Sequence, residues 1–257
     1  MPKNGLVSHW FSALPDPRLP LAGDREADVC IVGAGYTGLW TAYYLRQLDP
    51  ALRITVLEAR FAGFGASGRN GGWLSGLPPG HRGLLAAEHG RDHVIAWQRM
   101  LDESVDEVID VAARGVEMLT AADAAARIAV DSAVLGAFNP QCARVQPAKL
   151  ARGLADVVER LGVTIYEQTP VTEIAPGRAE TPRGVLRAPV ILRATEGFTA
   201  RMRGLRRRWL PMNSAMIATA PLPQQVRDRL GWGGPAPAGG PAPGAVAAPR
   251  TAPPRRP

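Results

Sequence analysis

An apolar run, a glycine-rich turn and a helical pattern follow one another without a break near the start of this 257-residue chain. Val29–Val32 leads directly into Gly-Ala-Gly-Tyr-Thr-Gly at 33–38, and helical spacing of apolar residues continues to Leu48. A second apolar run, Ile54–Leu57, ends on Glu58. This order is that of a βαβ unit, in which a helix joins two parallel strands. It predicts an α/β fold built around a parallel sheet.

Each glycine of this turn has its own physical role. Gly33 permits the tight turn from strand to helix, and Gly35 lets a pyrophosphate approach the backbone. Gly38 allows the helix to pack closely on the sheet. Tyr36 and Thr37 lie at the helix N-terminus, where free N–H groups and the helix dipole favour phosphate. The turn therefore predicts a phosphate-binding site.

Glu58 adds the sugar-binding part of this motif. It lies about 20 residues past the last glycine, where a carboxylate can accept both ribose hydroxyls and would repel the 2′-phosphate of NADP. The alternative is an ordinary βαβ unit with a glycine turn. In that case the joint occurrence of the three glycines and Glu58 would be a coincidence. Strand, glycines, helix and acid together indicate an adenine dinucleotide site.

The motif alone leaves NAD and FAD open, and the segment that follows favours FAD. Residues 59–73 are rich in glycine and carry Ser67, Arg69 and Asn70. Such a loop supplies backbone N–H donors and polar side chains beside an extended ligand. A flexible surface loop is the alternative, but Phe61, Phe64 and Trp73 are unusual in a free linker.

Composition restricts the remaining function classes. The net charge of +7 comes largely from residues 201–208 and from arginines near the C-terminus. No basic stripe is interleaved with aromatic residues, so we interpret the charge as a solvated surface and expect no nucleic-acid partner. The two cysteines, Cys30 and Cys142, are too few for a disulfide framework. With neither a signal-peptide pattern nor a long apolar run, we expect a cytoplasmic protein without membrane association.

Periodicity and breaker residues predict most of the other elements. A long helix is expected from about Arg91 to Ala113, and its acidic face is interpreted as solvated rather than as a metal site. Pro147 suits the first helical position of another helix, and Gly162 suits the position just after its end. The remaining expectations are a helix at 120–127, strands at 163–166, 171–174, 184–187, 189–194 and 213–219, and disorder at 233–257.

At this point the chain resembles the FAD-dependent amine and amino-acid oxidases of the D-amino-acid oxidase type, which include glycine, sarcosine and γ-glutamylputrescine oxidases. The resemblance rests on VCIVGAGYTGLWTAYYL with VLEAR, and on GFGASGRNGGWLSG, which is most similar to the γ-glutamylputrescine oxidase branch. Residues 145–174, VILRATEGFT and LPMNSAMIATAPLP support it. Family members usually have glycine where this chain has Glu196.

The resemblance implies roles for individual residues. Gly33, Gly35 and Gly38 would lie at the pyrophosphate, with Tyr36 and Thr37 beside them. Other implied FAD contacts are Glu58 at the ribose, Ala59 next to it in sequence, Arg60 near adenine, Val171 at adenine through its backbone, Ala194 and Thr195 near the pyrophosphate, and Ser67, Gly68, Arg69, Asn70, Gly71 and Gly72 along the flavin ring and ribityl chain.

The resemblance also implies a reaction. The C–N bond of an amine or amino acid would be oxidised to an imine, and oxygen or another electron acceptor would reoxidise the flavin. No catalytic residue is assigned, because this chemistry does not require a protein base. His81, His89 and His93 are interpreted as surface residues, no metal is expected, and FAD is expected to be non-covalent.

The resemblance divides the chain into parts. After an extended lead-in (1–27), residues 28–83 and 141–205 would form a Rossmann-like FAD-binding domain. Residues 84–140 and 206–232 would form an incomplete α+β substrate domain, followed by the tail (233–257). Family members usually run longer, so the expectation is a truncated chain. The alternatives are a non-catalytic remnant of such an enzyme and an NAD-dependent dehydrogenase.

Overall fold

The structure is a computed structural model that describes residues 7–11, 15–76, 82–112, 137–138, 142–207, 210, 220–229 and 246–247. Its strands are β1 (Arg25–Glu26), β2 (Val29–Val32), β3 (Ile54–Leu57), β4 (Trp73–Ser75), β5 (Ala137–Phe138), β6 (Cys142–Arg144), β7 (Thr164–Tyr166), β8 (Glu173–Ala175), β9 (Arg178–Thr181), β10 (Gly184–Arg187), β11 (Val190–Arg193) and β12 (Val246–Ala247). Its helices are α1 (Tyr36–Leu48), α2 (Arg82–His89), α3 (Arg91–Ala112), α4 (Pro147–Arg160) and α5 (Gln224–Arg229). Short 3₁₀ turns cover Ala66–Gly68 and Glu196–Arg201.

The chain divides into two compact units. The first comprises residues 1–71 and 146–217, and the second comprises residues 72–145 and 218–257. Both glycine-rich segments up to residue 71 belong to the first unit.

A parallel sheet with the strand order β11-β2-β3-β7 forms the centre of the first unit. Ile31 of β2 pairs with Leu192 of β11 on one side and with Val56 of β3 on the other. All residues of β2 and β3 are buried, as expected of parallel strands covered on both faces. The predicted α/β fold with a Rossmann-like parallel sheet is confirmed.

The two faces of β2 contribute to different cores. Val29 and Ile31 pack with Leu39 and Ala42 of α1 and with α4. Cys30 and Val32 face the other way and pack with the buried Leu186 of β10. Burial raises the pKa of the Cys30 thiol to about 12, so this cysteine is a neutral core residue.

A second sheet of the first unit has the order β1-β10-β9-β8, with β1 parallel to β10 and the other pairs antiparallel. The lead-in therefore ends in a strand, which the sequence analysis did not predict. Asp24 fixes this edge, because its carboxylate accepts from the Val185 N–H at 2.9 Å and from Arg187 at 2.9 Å.

Among the described residues, the second unit contains two strand pairs and three helices, α2, α3 and α5. β4 and β6 pair antiparallel, and α3 packs against α2 and β4. Val105 of α3 is buried (2% exposed), while Gln98 donates to the Gly76 carbonyl at 2.8 Å. Here β5 pairs antiparallel with β12, which lies within the tail predicted to be disordered. The rest of that tail lies outside the described residues.

Most predicted elements have the expected bounds. Pro147 begins α4 as predicted, and Gly162 follows its end with φ +90°. The strand expected at 171–174 begins only at Glu173. The expectations at 120–127 and 213–219, and His81, lie outside the described residues. None of the described helices combines the length and the apolarity needed to cross a membrane.

Candidate dinucleotide-binding site

The first glycine turn lies where β2 ends and α1 begins. Gly33 has φ +110°, and its N–H donates to the Leu57 carbonyl at 2.8 Å. A Cβ atom at this position would lie 2.5 Å from the carbonyl oxygen of Ala194. Both the backbone angle and this close approach require glycine. The predicted role of Gly33 in a tight turn is confirmed, and the structure adds its close approach to the Ala194 carbonyl.

Gly38 closes the contact between α1 and the sheet. A Cβ atom there would overlap the carbonyl oxygen of Gly33 and would lie 3.1 Å from the side chain of Ile31. A larger residue would push the helix away from β2. The predicted packing role of Gly38 is confirmed.

The N-terminus of α1 offers both free and occupied N–H groups. The Tyr36 N–H donates to the Ser67 hydroxyl at 2.9 Å, and the Ala34 N–H donates to Glu58 Oε2 at 2.9 Å. Within the described part of the chain, the N–H groups of Gly35 and Thr37 donate to no protein acceptor. Those two groups are available to a phosphate, and Gly35 carries no side chain to obstruct it.

The Tyr36 side chain turns away from these donors. Its hydroxyl donates to the Pro147 carbonyl at 3.3 Å, at the start of α4. Burial raises the pKa of this phenol to about 12, while a hydrogen bond with Asn70 opposes the rise. The hydroxyl therefore stays protonated and links α1 to α4.

Glu58 follows the last residue of β3, as the sequence predicts. Its Oε2 accepts from Ala34 and its Oε1 accepts from the Arg60 N–H, each at 2.9 Å. Burial raises the pKa of this carboxyl, and the two backbone donors oppose the rise. Ala59 and Arg60 are exposed. The carboxylate thus lies beside the first glycine turn.

The second glycine loop, residues 63–71, packs against the first turn. The Gly63 N–H donates to the Ala34 carbonyl at 2.9 Å, and a Cβ atom at Gly63 would lie 2.8 Å from the Ala151 side chain of α4. A Cβ atom at Gly68 would overlap the Gly63 carbonyl. Glycine at 63 and 68 therefore allows this loop to fold tightly between α1 and α4.

The polar side chains of this loop do not all point the same way. The Ser67 hydroxyl lies at the α1 N-terminus, where it accepts from the Tyr36 N–H. The sequence analysis expected this residue along the flavin instead. The Arg69 guanidinium lies over the Phe64 ring, 4.6 Å from its centroid. The Asn70 amide donates to the Ser67 carbonyl at 3.0 Å. Gly71 ends the first unit, and Gly72 begins the second with φ +74°.

A third segment reaches the first glycine turn from β11. The Ala194 N–H donates to the Val32 carbonyl at 2.8 Å, and the Ala194 carbonyl approaches Gly33. The Thr195 and Thr199 hydroxyls are 2.7 Å apart. Glu196 has φ +43°, the left-handed conformation that glycine prefers. At position 196 the backbone thus keeps the conformation that glycine prefers, although the residue is Glu.

Val171 packs on the other core of the first unit. It packs, half-buried, on the core formed by Cys30, Val32 and Leu57. The structure therefore puts Val171 on the face of the sheet opposite α1.

Sequence reasoning missed a buried carboxylate beside the site. Glu167 has a fully buried side chain, whose Oε1 accepts from the Ala62 N–H at 2.8 Å and from Arg152 at 2.7 Å. Its Oε2 accepts from the Arg18 N–H at 2.9 Å. Glu167 thus ties the residues after Glu58 to α4 and to the lead-in. Its place directly after β7 was the available signal.

The residues present fit an adenine dinucleotide. The segments after β2, β3 and β11 meet at the carboxyl ends of three adjacent parallel strands, which is where such sheets bind ligands. The free N–H groups of Gly35 and Thr37 and the carboxylate of Glu58 lie together there. No cluster of metal-ligating side chains occurs among the residues that the structure describes.

Comparison with known proteins agrees with this site. The family described as FAD dependent oxidoreductase (DAO) matches residues 28–252. The probable oxidoreductase OrdL of Haemophilus influenzae is 26% identical over 81% of this chain and 59% of its own length. The gamma-glutamylputrescine oxidoreductase of Escherichia coli is 25% identical over 86% of this chain and 62% of its own length. The chain thus spans about three fifths of these relatives.

A solved structure gives a weaker likeness. Glycine oxidase from Geobacillus kaustophilus has 20% identity and a TM-score of 0.47, over 70% of this chain and 58% of its own. The family match covers most of the chain and includes the glycine turn, Glu58 and Ala194. The chain belongs to the family of FAD dependent oxidoreductases (DAO), whose cofactor is FAD.

Proposed function

We propose that this protein is an FAD-dependent oxidoreductase that oxidises the C–N bond of an amine or amino acid to an imine. The observation that carries the proposal is the meeting of Gly33, Glu58 and Ala194 at the carboxyl ends of three adjacent strands. The amine substrate is supported by the family and by the name of the Escherichia coli relative.

The first glycine turn would hold the pyrophosphate of FAD. The N–H groups of Gly35 and Thr37 point from the start of α1, and the helix dipole adds a favourable field for an anion. Ala194 and Thr195 would border the same group from β11. Rearrangement of Ser67 would release the Tyr36 N–H as a further donor.

Glu58 would hold the adenosine ribose. Its carboxylate already accepts two backbone N–H groups and has further lone pairs for the ribose hydroxyls. Its negative charge disfavours the 2′-phosphate of NADP. Ala59 and Arg60 would lie beside the adenosine, and the Val171 backbone would contact adenine.

The second glycine loop would hold the flavin end. Gly68, Arg69, Asn70, Gly71 and Gly72 would line the ribityl chain and the ring, with backbone N–H groups as donors. When bound, FAD would supply the redox chemistry, namely two-electron oxidation at the carbon next to the amine nitrogen and transfer of the two electrons to oxygen, with hydrogen peroxide as product, or to another acceptor.

Purified protein reconstituted with FAD provides the test. Amines and amino acids, including γ-glutamylated diamines, would be screened for peroxide release and, under anaerobic conditions, for bleaching of the flavin band at about 450 nm. Bleaching without peroxide would indicate a dehydrogenase with another acceptor. FAD-loaded protein that no amine bleaches would contradict the proposed reaction.

A further inference from the structure

We propose that Trp10 is a positioning residue for the second glycine loop and, through it, for the flavin end of FAD. The inference rests on the proposed FAD site. It concerns the lead-in, a segment to which neither the glycine motif nor the family match at 28–252 gives a role.

Two lead-in side chains bond to backbone carbonyls of the loop. The Trp10 indole N–H donates to the Asn70 carbonyl at 2.8 Å. The Ser8 hydroxyl donates to the Gly68 carbonyl at 3.3 Å. These residues are 60 positions apart in sequence, so the contacts fix the loop from outside.

Trp10 is itself held in place. The Gln146 amide donates to the Trp10 carbonyl at 2.8 Å, while the Gln146 side-chain oxygen accepts from the Lys149 N–H at the start of α4. The neighbouring Phe11 is 4% exposed and packs edge-on against Phe61, with ring centroids 5.3 Å apart. The lead-in is therefore anchored to α4 and to the loop at once.

The loop needs this support because its composition makes it flexible. Four of the nine residues at 63–71 are glycines, at 63, 65, 68 and 71. Glycine loses more conformational freedom on ordering than other residues do. Its own N–H bonds, from Gly68 to Gly65 and from Arg69 to Ala66, define a single turn. A loop held in its binding conformation beforehand binds more tightly, because less ordering is required at that moment.

The test compares two Trp→Phe variants. Trp10→Phe keeps an aromatic ring and removes the N–H donor. Trp40→Phe is the matched control: Trp40 contacts Tyr43 and Tyr44 on α1, and its indole N–H has no acceptor in the described part of the chain. FAD affinity would be measured by quenching of flavin fluorescence. Urea unfolding of the apoprotein and visible circular dichroism of the bound flavin would be measured in parallel.

We expect Trp10→Phe to weaken FAD binding by about 3- to 10-fold, the effect of one lost hydrogen bond. The visible dichroism of saturated protein should also change, which general destabilisation of the fold would not produce. Trp40→Phe should match the wild type in FAD affinity and in visible dichroism. Gln146→Glu supplies a second variant, because it keeps an acceptor for Lys149 and loses the donor to Trp10.

The outcomes separate this inference from the proposed site. If the wild type binds FAD but Trp10→Phe and Gln146→Glu bind it equally well, the positioning role is wrong and the site stands. The role is equally wrong if the loss of affinity merely follows the loss of apoprotein stability with unchanged dichroism. If folded wild-type protein binds no FAD, both fail.

Discussion

The carbonyl oxygen of Ala194 lies 2.5 Å from the point that a Cβ atom at Gly33 would occupy. β11 and the first glycine turn are therefore in contact at the place where phosphate is proposed to bind. Because Gly33 also has φ +110°, any side chain there meets both strain and collision.

Gly33→Ala should destabilise the protein and abolish FAD binding. We expect a loss of about 2–4 kcal/mol, since strain of about 1–3 kcal/mol adds to displacement of the backbone at Ala194. Urea unfolding measures the loss. Gly177→Ala is the control, because Gly177 has φ +76° but no atom within 4 Å of its Cβ position. Equal effects of the two substitutions would refute the contact.

Glu196→Gly should stabilise the protein. Glu196 has φ +43°, which costs a residue with a side chain about 1–2 kcal/mol. Glycine removes that cost, but it also raises the conformational entropy of the unfolded chain, which lowers stability. We therefore expect the free energy of unfolding to rise by a net amount of about 0.5–1 kcal/mol. Glu196→Ala removes the carboxylate and keeps the strain. If thermal unfolding shows that Ala stabilises as much as Gly, backbone strain is not the reason.

Glu58 should make stability depend on pH. Burial raises the pKa of Glu58 in the folded protein, so over the range just above its usual pKa the folded state binds more protons than the unfolded state. The contribution of this group to the free energy of unfolding then falls as pH rises through that range. Glu58→Gln removes it. Apoprotein unfolding in urea between pH 4 and 8 should show the variant gaining relative to the wild type as pH rises. A difference independent of pH would contradict this assignment.

Glu167→Gln should be strongly destabilising. The fully buried carboxylate accepts from Arg18, Arg152 and the Ala62 N–H. Its loss leaves the half-buried Arg152 guanidinium without its carboxylate partner and removes the buried one of the three carboxylates that pair with Arg18. We expect a loss of about 3–5 kcal/mol in denaturant unfolding. Asp156→Asn also removes a partner of Arg18, but Asp156 is 56% exposed, so its effect should stay below about 1 kcal/mol. Comparable losses would show that burial does not set the strength of these pairs.

The sequence predicted those parts of the site that depend on local spacing. The turn at 33–38 and Glu58 follow from short-range order, because the strand, the glycines and the acid lie in one βαβ unit. The bounds of β2 and β3 were predicted correctly for the same reason: short runs of mainly apolar residues, all of them buried, leave few alternatives.

Contacts between distant segments could not be predicted in this way. The bond from Trp10 to Asn70 and that from Arg18 to Glu167 join positions 60 and 149 residues apart. Nothing in the local pattern marks Trp10 as ordered, since it lies in a segment broken by prolines. Likewise β1 is only two residues long and gains its pairing from β10. These features depend on tertiary packing, which periodicity does not record.

Equilibrium titration of the folded apoprotein with FAD, and separately with NADH, tests the central claim most directly. The account predicts saturable binding of FAD with a bound-flavin spectrum, and little binding of NADH. A folded protein that does not bind FAD, or that binds NADH more tightly than FAD, would contradict it.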